Sequence, residues 1–250
     1  MKDFNFQLAG DTGIHFYPKN EDNKYIELLL NEIKKKPPDG IIDLIPSLVN
    51  LLVVFDPKTT SSQDLIDYVN QLKFSNTKII YSNPSHWEIP ICYESKYGLD
   101  LNFISNQCEV STEDVVSLHQ EKIYKVSMMG FLPGLPFLTE LDPKLKLPRK
   151  SNPRTLVPSG SIGIAINQSV IYPQDSPGGW NLVGRTPINL FDQRRENAIL
   201  LSIGDKITFN KIDGEEFDDI FNKNLNSPFK INNSRWRHAF ILMSISSKIL

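Results

Sequence analysis

Residues that rarely share a short segment meet between Asp175 and Pro187, in DSPGGWNLVGRTP. Pro177 restricts its own backbone and biases Ser176 toward an extended conformation. Gly178 and Gly179 carry no Cβ and reach positive φ at little cost, so a ligand or another backbone can come close. Successive N–H groups in such a turn can converge on an anion. Trp180 supplies a rigid wall, and Arg185 supplies a planar fork of donors suited to a carboxylate or phosphate. Asp175 sits on the other shoulder. The plainer reading is a tight barrel corner, with Trp180 in the core and Arg185 in a structural ion pair.

Three further groups could carry chemistry. KLKLPRKSNPR, from Lys144 to Arg154, holds five basic residues in eleven and no acid. A solvated basic loop is the usual outcome for such a run, although Pro148 and Pro153 stiffen it and help aim Arg149 and Arg154. In GFLPGLPFL, from Gly130 to Leu138, Phe131, Pro133, Gly134 and Phe137 suit a pocket wall, a partner surface or core filling. His119 is a candidate general acid or base, against the plainer role of a histidine meeting a helix dipole. Ser159, in VPSGS, has no visible base, and neither a phosphate-binding GxxxxGK[ST] or GxGxxG nor a GxSxG or HExxH occurs.

The elements that must position these groups change in texture along the chain. Ile26, Leu29, Leu30 and Ile33 keep the spacing of an amphipathic helix over 22–36, stopped by Pro37 and Pro38. Strands are expected at Ile41–Ile45 and Ser47–Phe55, a second helix at about 61–73, and further strands at KIIYS and WEIPICY. This β, α, β, β, α, β order suits a small antiparallel sheet with two helices on one face. Ser111 and Asp114 in STEDVVSLH signal a capped third helix. After about residue 122 strand-like runs recur at IYKVSMMGF, GSIGIAI, SVIYP, NLF, AILLSI and DKITFNKI. Nine of the 17 prolines and seven of the 13 glycines fall between Gly130 and Pro187, which argues for a β-barrel or sandwich. From Asp213 onward, DGEEFDDIF and the polar residues after it read as a loosely attached tail.

The bulk properties exclude several classes. With 250 residues, 40% hydrophobic and 22% charged, the chain is of ordinary globular composition and long enough for a sizeable core. A net charge of -2 gives no strong global pull toward nucleic acid or an anionic membrane. Cys92 and Cys108 lack CxxC spacing and a histidine cluster, so plain thiols are expected and no metal site. The first twenty residues hold charges and no apolar run, SLVNLLVVF falls short of a membrane span, and a cytoplasmic location is expected.

Taken in order, GFLPGLPFL, LPRKSNPRTLVPSGSIGIA, IYPQDSPGGWNLVGRTP and LFD resemble the signature of one family. It includes the B subunit of bacterial 5-oxoprolinase, the first subunit of allophanate hydrolase and the Kip-type inhibitor of a sporulation histidine kinase, and is related to half of the carboxyltransferase domain of urea carboxylase (subdomains C and D). IPSLVNLLVVFDP, IPICYESKYGLDL, His119 and Tyr124 fit the same order, so the resemblance runs over roughly residues 5–212.

The resemblance implies an α+β fold, with a ferredoxin-like α/β sandwich domain over 1–100, a cyclophilin-like β-barrel over 101–212 and a variable tail over 213–250. It implies a companion C-type subunit and an A-type subunit, acting together to open 5-oxoproline to glutamate with ATP. Arg149, Arg154, Arg185 and His119 are the expected catalytic groups. Gly178, Gly179, Trp180, Phe131, Pro133, Gly134, Phe137 and Ser159 are expected to bind substrate or phosphate. ATP with Mg2+ is expected in a site shared with the companion. Inhibition of a sensor kinase, or a part in urea or allophanate metabolism, is the alternative. This sequence departs from the family's usual residues at Phe137 (commonly tyrosine), Lys150 (arginine), Ser159 (alanine) and Leu99 (proline).

Overall fold

A computed structural model describes residues 3–20, 24–74 and 84–226. The chain is α+β, and two compact units divide between Asn83 and Pro84.

The first unit is one antiparallel sheet carrying two helices. Its strands are β1 (Phe4–Leu8), β2 (Gly13–Pro18), β3 (Ile41–Pro46) and β4 (Leu51–Phe55), in the order β1-β2-β4-β3. Helix α1 (Lys24–Lys35) buries Ile26, Leu29, Leu30 and Ile33, and α2 (Ser62–Gln71) buries Leu65, Ile66 and Val69. These side chains pack on Phe4, Ile14, Phe16, Leu51, Val53 and Phe55 from the sheet. A reciprocal cap fixes the start of α2, with Ser61 accepting from the Asp64 N–H and Asp64 accepting from Ser61. The strand expected at KIIYS lies outside the described residues.

The second unit is a closed barrel of β5 (His86–Cys92), β6 (Tyr124–Met129), β7 (Pro136–Thr139), β9 (Ser161–Ala165), β10 (Gln168–Ile171), β12 (Asn181–Arg185) and β13 (Lys206–Ile212). Its strand order is β10-β7-β6-β13-β5-β12-β9. Strands β8 (Arg154–Val157) and β11 (Ser176–Gly178) form a separate ribbon. The helices are α3 (Leu101–Cys108), α4 (Thr112–Gln120) and α5 (Gly214–Asn226). The barrel core includes Ile89, Ile91, Tyr124, Leu138, Ile162, Ile164, Ile171, Val183 and Phe209. A second apolar layer of Leu135, Val157, Ala165, Val170, Tyr172, Trp180 and Leu182 includes members of the ribbon as well as of the barrel.

The division falls earlier than the expected 100/101, because β5 belongs to the barrel. It pairs in parallel with β13 from His86↔Lys206 to Cys92↔Ile212. The buried Asp205 carboxylate locks that pair, accepting from Ser85 N (2.8 Å), Trp87 Nε1 (2.8 Å) and Ser202 N (2.9 Å). Helix α4 carries the expected Ser111–Asp114 capping box. NLF and AILLSI, expected as strands, make only the isolated bridge Phe191↔Ile199.

The expected loose tail is corrected over 213–226. Here α5 buries Phe217, which is 2% exposed, against Tyr97 with ring centroids 4.2 Å apart. Polar ties hold both ends, from Gly214 N to Glu94 Oε1 (2.9 Å) and from Asn224 Nδ2 to Pro187 O (3.1 Å). Residues 227–250 lie outside the described residues.

Candidate functional site

The basic loop is held to the barrel by backbone bonds on both sides. Ile166 N donates to Leu147 O (2.6 Å) and Lys150 N to Gly179 O (2.7 Å). Asn181 Nδ2 donates to Pro148 O at 2.9 Å. The loop therefore runs beside the start of β12, and its cations divide by role. Arg154 makes a bidentate pair with Asp100, both bonds 2.8 Å, and Lys150 Nζ reaches the same carboxylate at 2.8 Å. Asp100 also accepts from Leu182 N at 2.7 Å. Burial would raise its carboxyl pKa, but the bonds from Arg154, Lys150 and Leu182 hold it below the usual range. Arg149 points elsewhere. Its guanidinium lies 5.1 Å from the centre of the Trp180 ring, and among the described residues it pairs with no carboxylate.

Trp180 is 6% exposed and meets the Phe137 ring edge-on at 6.0 Å. The glycines beside it differ. A Cβ on Gly178 would fall 2.3 Å from the Tyr172 hydroxyl, whereas one on Gly179 would meet nothing closer than Pro153 Cγ at 3.5 Å. Neither has positive φ. The expected anion nest at Gly178-Gly179 is therefore corrected: Gly178 is required by a close ring, and neither glycine takes the left-handed backbone of a nest. Half of the supposed loop is barrel wall, as Asn181, Leu182 and Val183 are all buried.

Arg185 lies at the far end of β12, paired in register with Ser161 and Cys92. Four residues separate it from Trp180, about 16 Å along the strand. Its Nε donates to Ser159 O at 2.7 Å, and its guanidinium stands 5.6 Å from the Phe217 ring and 5.5 Å from the Phe221 ring. Burial lowers its pKa, opposed by the charges of Asp175 and Asp218 and by Tyr97. Ser159 is itself tied down, its N–H donating to Asp175 (2.7 Å) and its hydroxyl to Pro173 O (3.1 Å). The loop from Gly130 to Leu135 packs Leu132 and Leu135 into the apolar layer that holds Trp180. In the same loop Gly134, at φ 81°, packs on Leu190 and Phe191 just beyond β12. Phe131 is 73% exposed and Pro133 is also exposed.

His119 belongs to neither group. It is fully buried, stacked on Phe209 at 4.7 Å, with Nδ1 2.8 Å from the Tyr93 hydroxyl and Nε2 without a partner. Burial lowers its pKa to about 3. Such a ring stays neutral and is closed to substrate, so its place is the core. The sequence-predicted residues thus fall into an Arg149–Trp180–Phe137 face, with Gly178 and Gly179 beside it, an Arg185–Ser159 pair, and the loop of Phe131, Pro133 and Gly134, whose Leu132 and Leu135 join the Trp180 layer. Asp100 and Phe217 were missed. The apolar spacing of Phe217, Ile220 and Phe221 was the available signal for the second. Among the described residues no group of three His, Cys, Asp or Glu side chains converges to hold a metal ion, and no helix is long and apolar enough to cross a membrane.

Residues 4–201 match the model of the family "Carboxyltransferase domain, subdomain C and D". The chain belongs to this family. Within it, the chain is 31% identical over 235 residues to the B subunit of 5-oxoprolinase from Bacillus subtilis (strain 168), covering 86% of this chain and 95% of that protein. The solved structure of TTHA0988 matches with a TM-score of 0.69 at 33% identity, over 81% of this chain and 40% of that one. The Kluyveromyces lactis urea amidolyase shares the fold, with a TM-score of 0.75 at 23% identity, over 98% of this chain and 17% of that one. This carboxyltransferase-family chain therefore spans less than half of either solved chain.

Proposed function

We propose that the chain is the B-type subunit of an ATP-dependent 5-oxoprolinase, acting in a hetero-oligomer with A-type and C-type companions to open 5-oxoproline to L-glutamate. The observation that carries this reading is the match spanning 95% of the Bacillus subtilis 5-oxoprolinase component. The site supports it. An exposed guanidinium with no carboxylate partner among the described residues suits the carboxylate of a small substrate, and Trp180, buried beneath it, would hold Arg149 in place to pair with that carboxylate.

In the proposed reaction the lactam oxygen takes the γ-phosphoryl group of ATP, water adds at the activated carbon, and the C–N bond breaks. The nitrogen leaves as the amine of glutamate, with ADP and phosphate as the other products. Asp100 engages both Lys150 and Arg154 through its one carboxylate, so neither is presented as a free donor. ATP, with Mg2+, is assigned to a site shared with a companion subunit. The test is coexpression with candidate A-type and C-type companions, followed by measurement of glutamate formed from 5-oxoproline and ATP. Turnover is expected from the full complex and not from the chain alone. Turnover by the chain alone, or its absence from an assembled complex, overturns the reading.

A further inference from the structure

Three consecutive residues at the entry to β12 each hold a different part of the Pro148-Arg149-Lys150 segment. Lys150 N donates to Gly179 O at 2.7 Å, the Arg149 guanidinium lies 5.1 Å from the Trp180 ring centre, and Asn181 Nδ2 donates to Pro148 O at 2.9 Å. Pro148 O belongs to the peptide plane before the Arg149 Cα, and the Lys150 N–H belongs to the plane after it. Peptide units are planar, so the only soft backbone torsions between those planes are φ and ψ of Arg149. Holding both planes restrains both torsions.

One of the two holds comes from a side chain, and that side chain is built into the barrel. Asn181 is 0% exposed and pairs in register with the fully buried Ile164 of β9. Its Nδ2 also donates to Ile164 O at 3.2 Å, so one amide nitrogen ties the basic loop to a core strand. Both partners are carbonyls, which only the nitrogen end of the amide can serve; serine would offer one donor and alanine none. Just before, Leu147 O accepts from Ile166 N at 2.6 Å. What remains free is the exposed side chain of Arg149, resting on the indole ring. A group ordered before its ligand arrives loses little freedom on binding.

We infer that Asn181 is a positioning residue for Arg149, setting the backbone from which the guanidinium meets the substrate carboxylate. The inference rests on the functional reading above, in which Arg149 pairs with that carboxylate. The assay is steady-state turnover of 5-oxoproline by the complex reconstituted with A-type and C-type companions, beside thermal unfolding of each chain. Asn181→Ala and Asn181→Ser are compared in the unmodified chain and in Arg149→Lys. In the unmodified chain Asn181→Ala is expected to lower kcat/KM for 5-oxoproline at least about fivefold, and Asn181→Ser, which keeps one donor, at least about twofold. In Arg149→Lys both falls should vanish, because the fork that Asn181 positions is already gone. A residue serving stability alone would give equal falls in both backgrounds. Equal falls, or kcat/KM unchanged in the unmodified chain, overturn the inference and leave the functional reading standing. Where Asn181→Ala does not fold, Asn181→Ser decides by the same comparison. No turnover from the assembled unmodified complex overturns both.

Discussion

Replacing Phe217 by alanine tests whether the segment after β13 is part of the folded body. The ring is 2% exposed, stacks near Tyr97 at 4.2 Å and lies 5.6 Å from the Arg185 guanidinium. Truncating a buried phenylalanine costs about 3–5 kcal/mol, and loss of the cation–π contact adds about 0.5–1 kcal/mol where the cation is partly desolvated. The site lies near a helix end, where neighbours can partly collapse, so about 3 kcal/mol is the expected net loss. For a unit of about 140 residues this is a fall of about 10 °C in melting temperature. Scanning calorimetry should show the fall in the barrel transition and not in that of the first unit. Phe221→Ala, at a partly buried ring, should cost less. A stop after Asp213 should cost at least as much as Phe217→Ala. A fall smaller than about 3 °C for either the stop or Phe217→Ala would mean that α5 adds nothing to the body, and the cage around Arg185 would lose its basis.

Three further outcomes are expected. Gly178→Ala should destabilise by about 1–3 kcal/mol, since the added Cβ falls 2.3 Å from a buried tyrosine hydroxyl; Gly179→Ala should be neutral within about 0.5 kcal/mol, and equal effects in thermal unfolding would refute the contrast. His119 has a folded pKa of about 3, below its unfolded value near 6.5. Its contribution is thus complete above about pH 6.5 and is lost as pH falls toward 3, at up to about 1.4 kcal/mol per pH unit. His119→Phe should flatten that part of the stability–pH profile measured by denaturant titration, and an unchanged profile would place the histidine in water. Arg149→Lys should leave melting unchanged yet lower turnover of the reconstituted complex at least about tenfold, because lysine keeps the charge and loses the planar fork; full turnover would remove Arg149 from the site.

The parts of the fold legible in the sequence were those whose signal is local. The faces of α1 and α2 follow from apolar spacing, and the start of α4 follows from Ser111 and Asp114. The barrel followed from the density of glycine and proline among short apolar runs. What stayed hidden depends on partners distant in sequence. β5 joins the barrel because it pairs with β13, more than a hundred residues later. β12 carried turn residues before it and no alternation within it, since both of its faces are covered. In α5 the acidic residues at 215, 216, 218 and 219 masked the apolar spacing among them.

The three arginines singled out by the sequence show why residue type alone cannot assign a site. All have the same fork of donors, and the fold spends each differently. Arg154 closes on Asp100 with both arms, so an incoming anion would have to displace a buried carboxylate that also holds Lys150 and the Leu182 amide. Arg185 is half-desolvated, its Nε bonded to Ser159 O and its guanidinium flanked by two phenylalanine rings. Arg149 is left on the exposed side of Trp180, with its charge uncompensated by any described carboxylate. Exposure and pairing, which only the folded chain decides, therefore leave one guanidinium of three without a carboxylate partner among the described residues. The same logic gives Asp100 its importance: by engaging Lys150 and Arg154 together it ties their donors to the barrel, whereas Arg149 keeps its fork free of any described carboxylate.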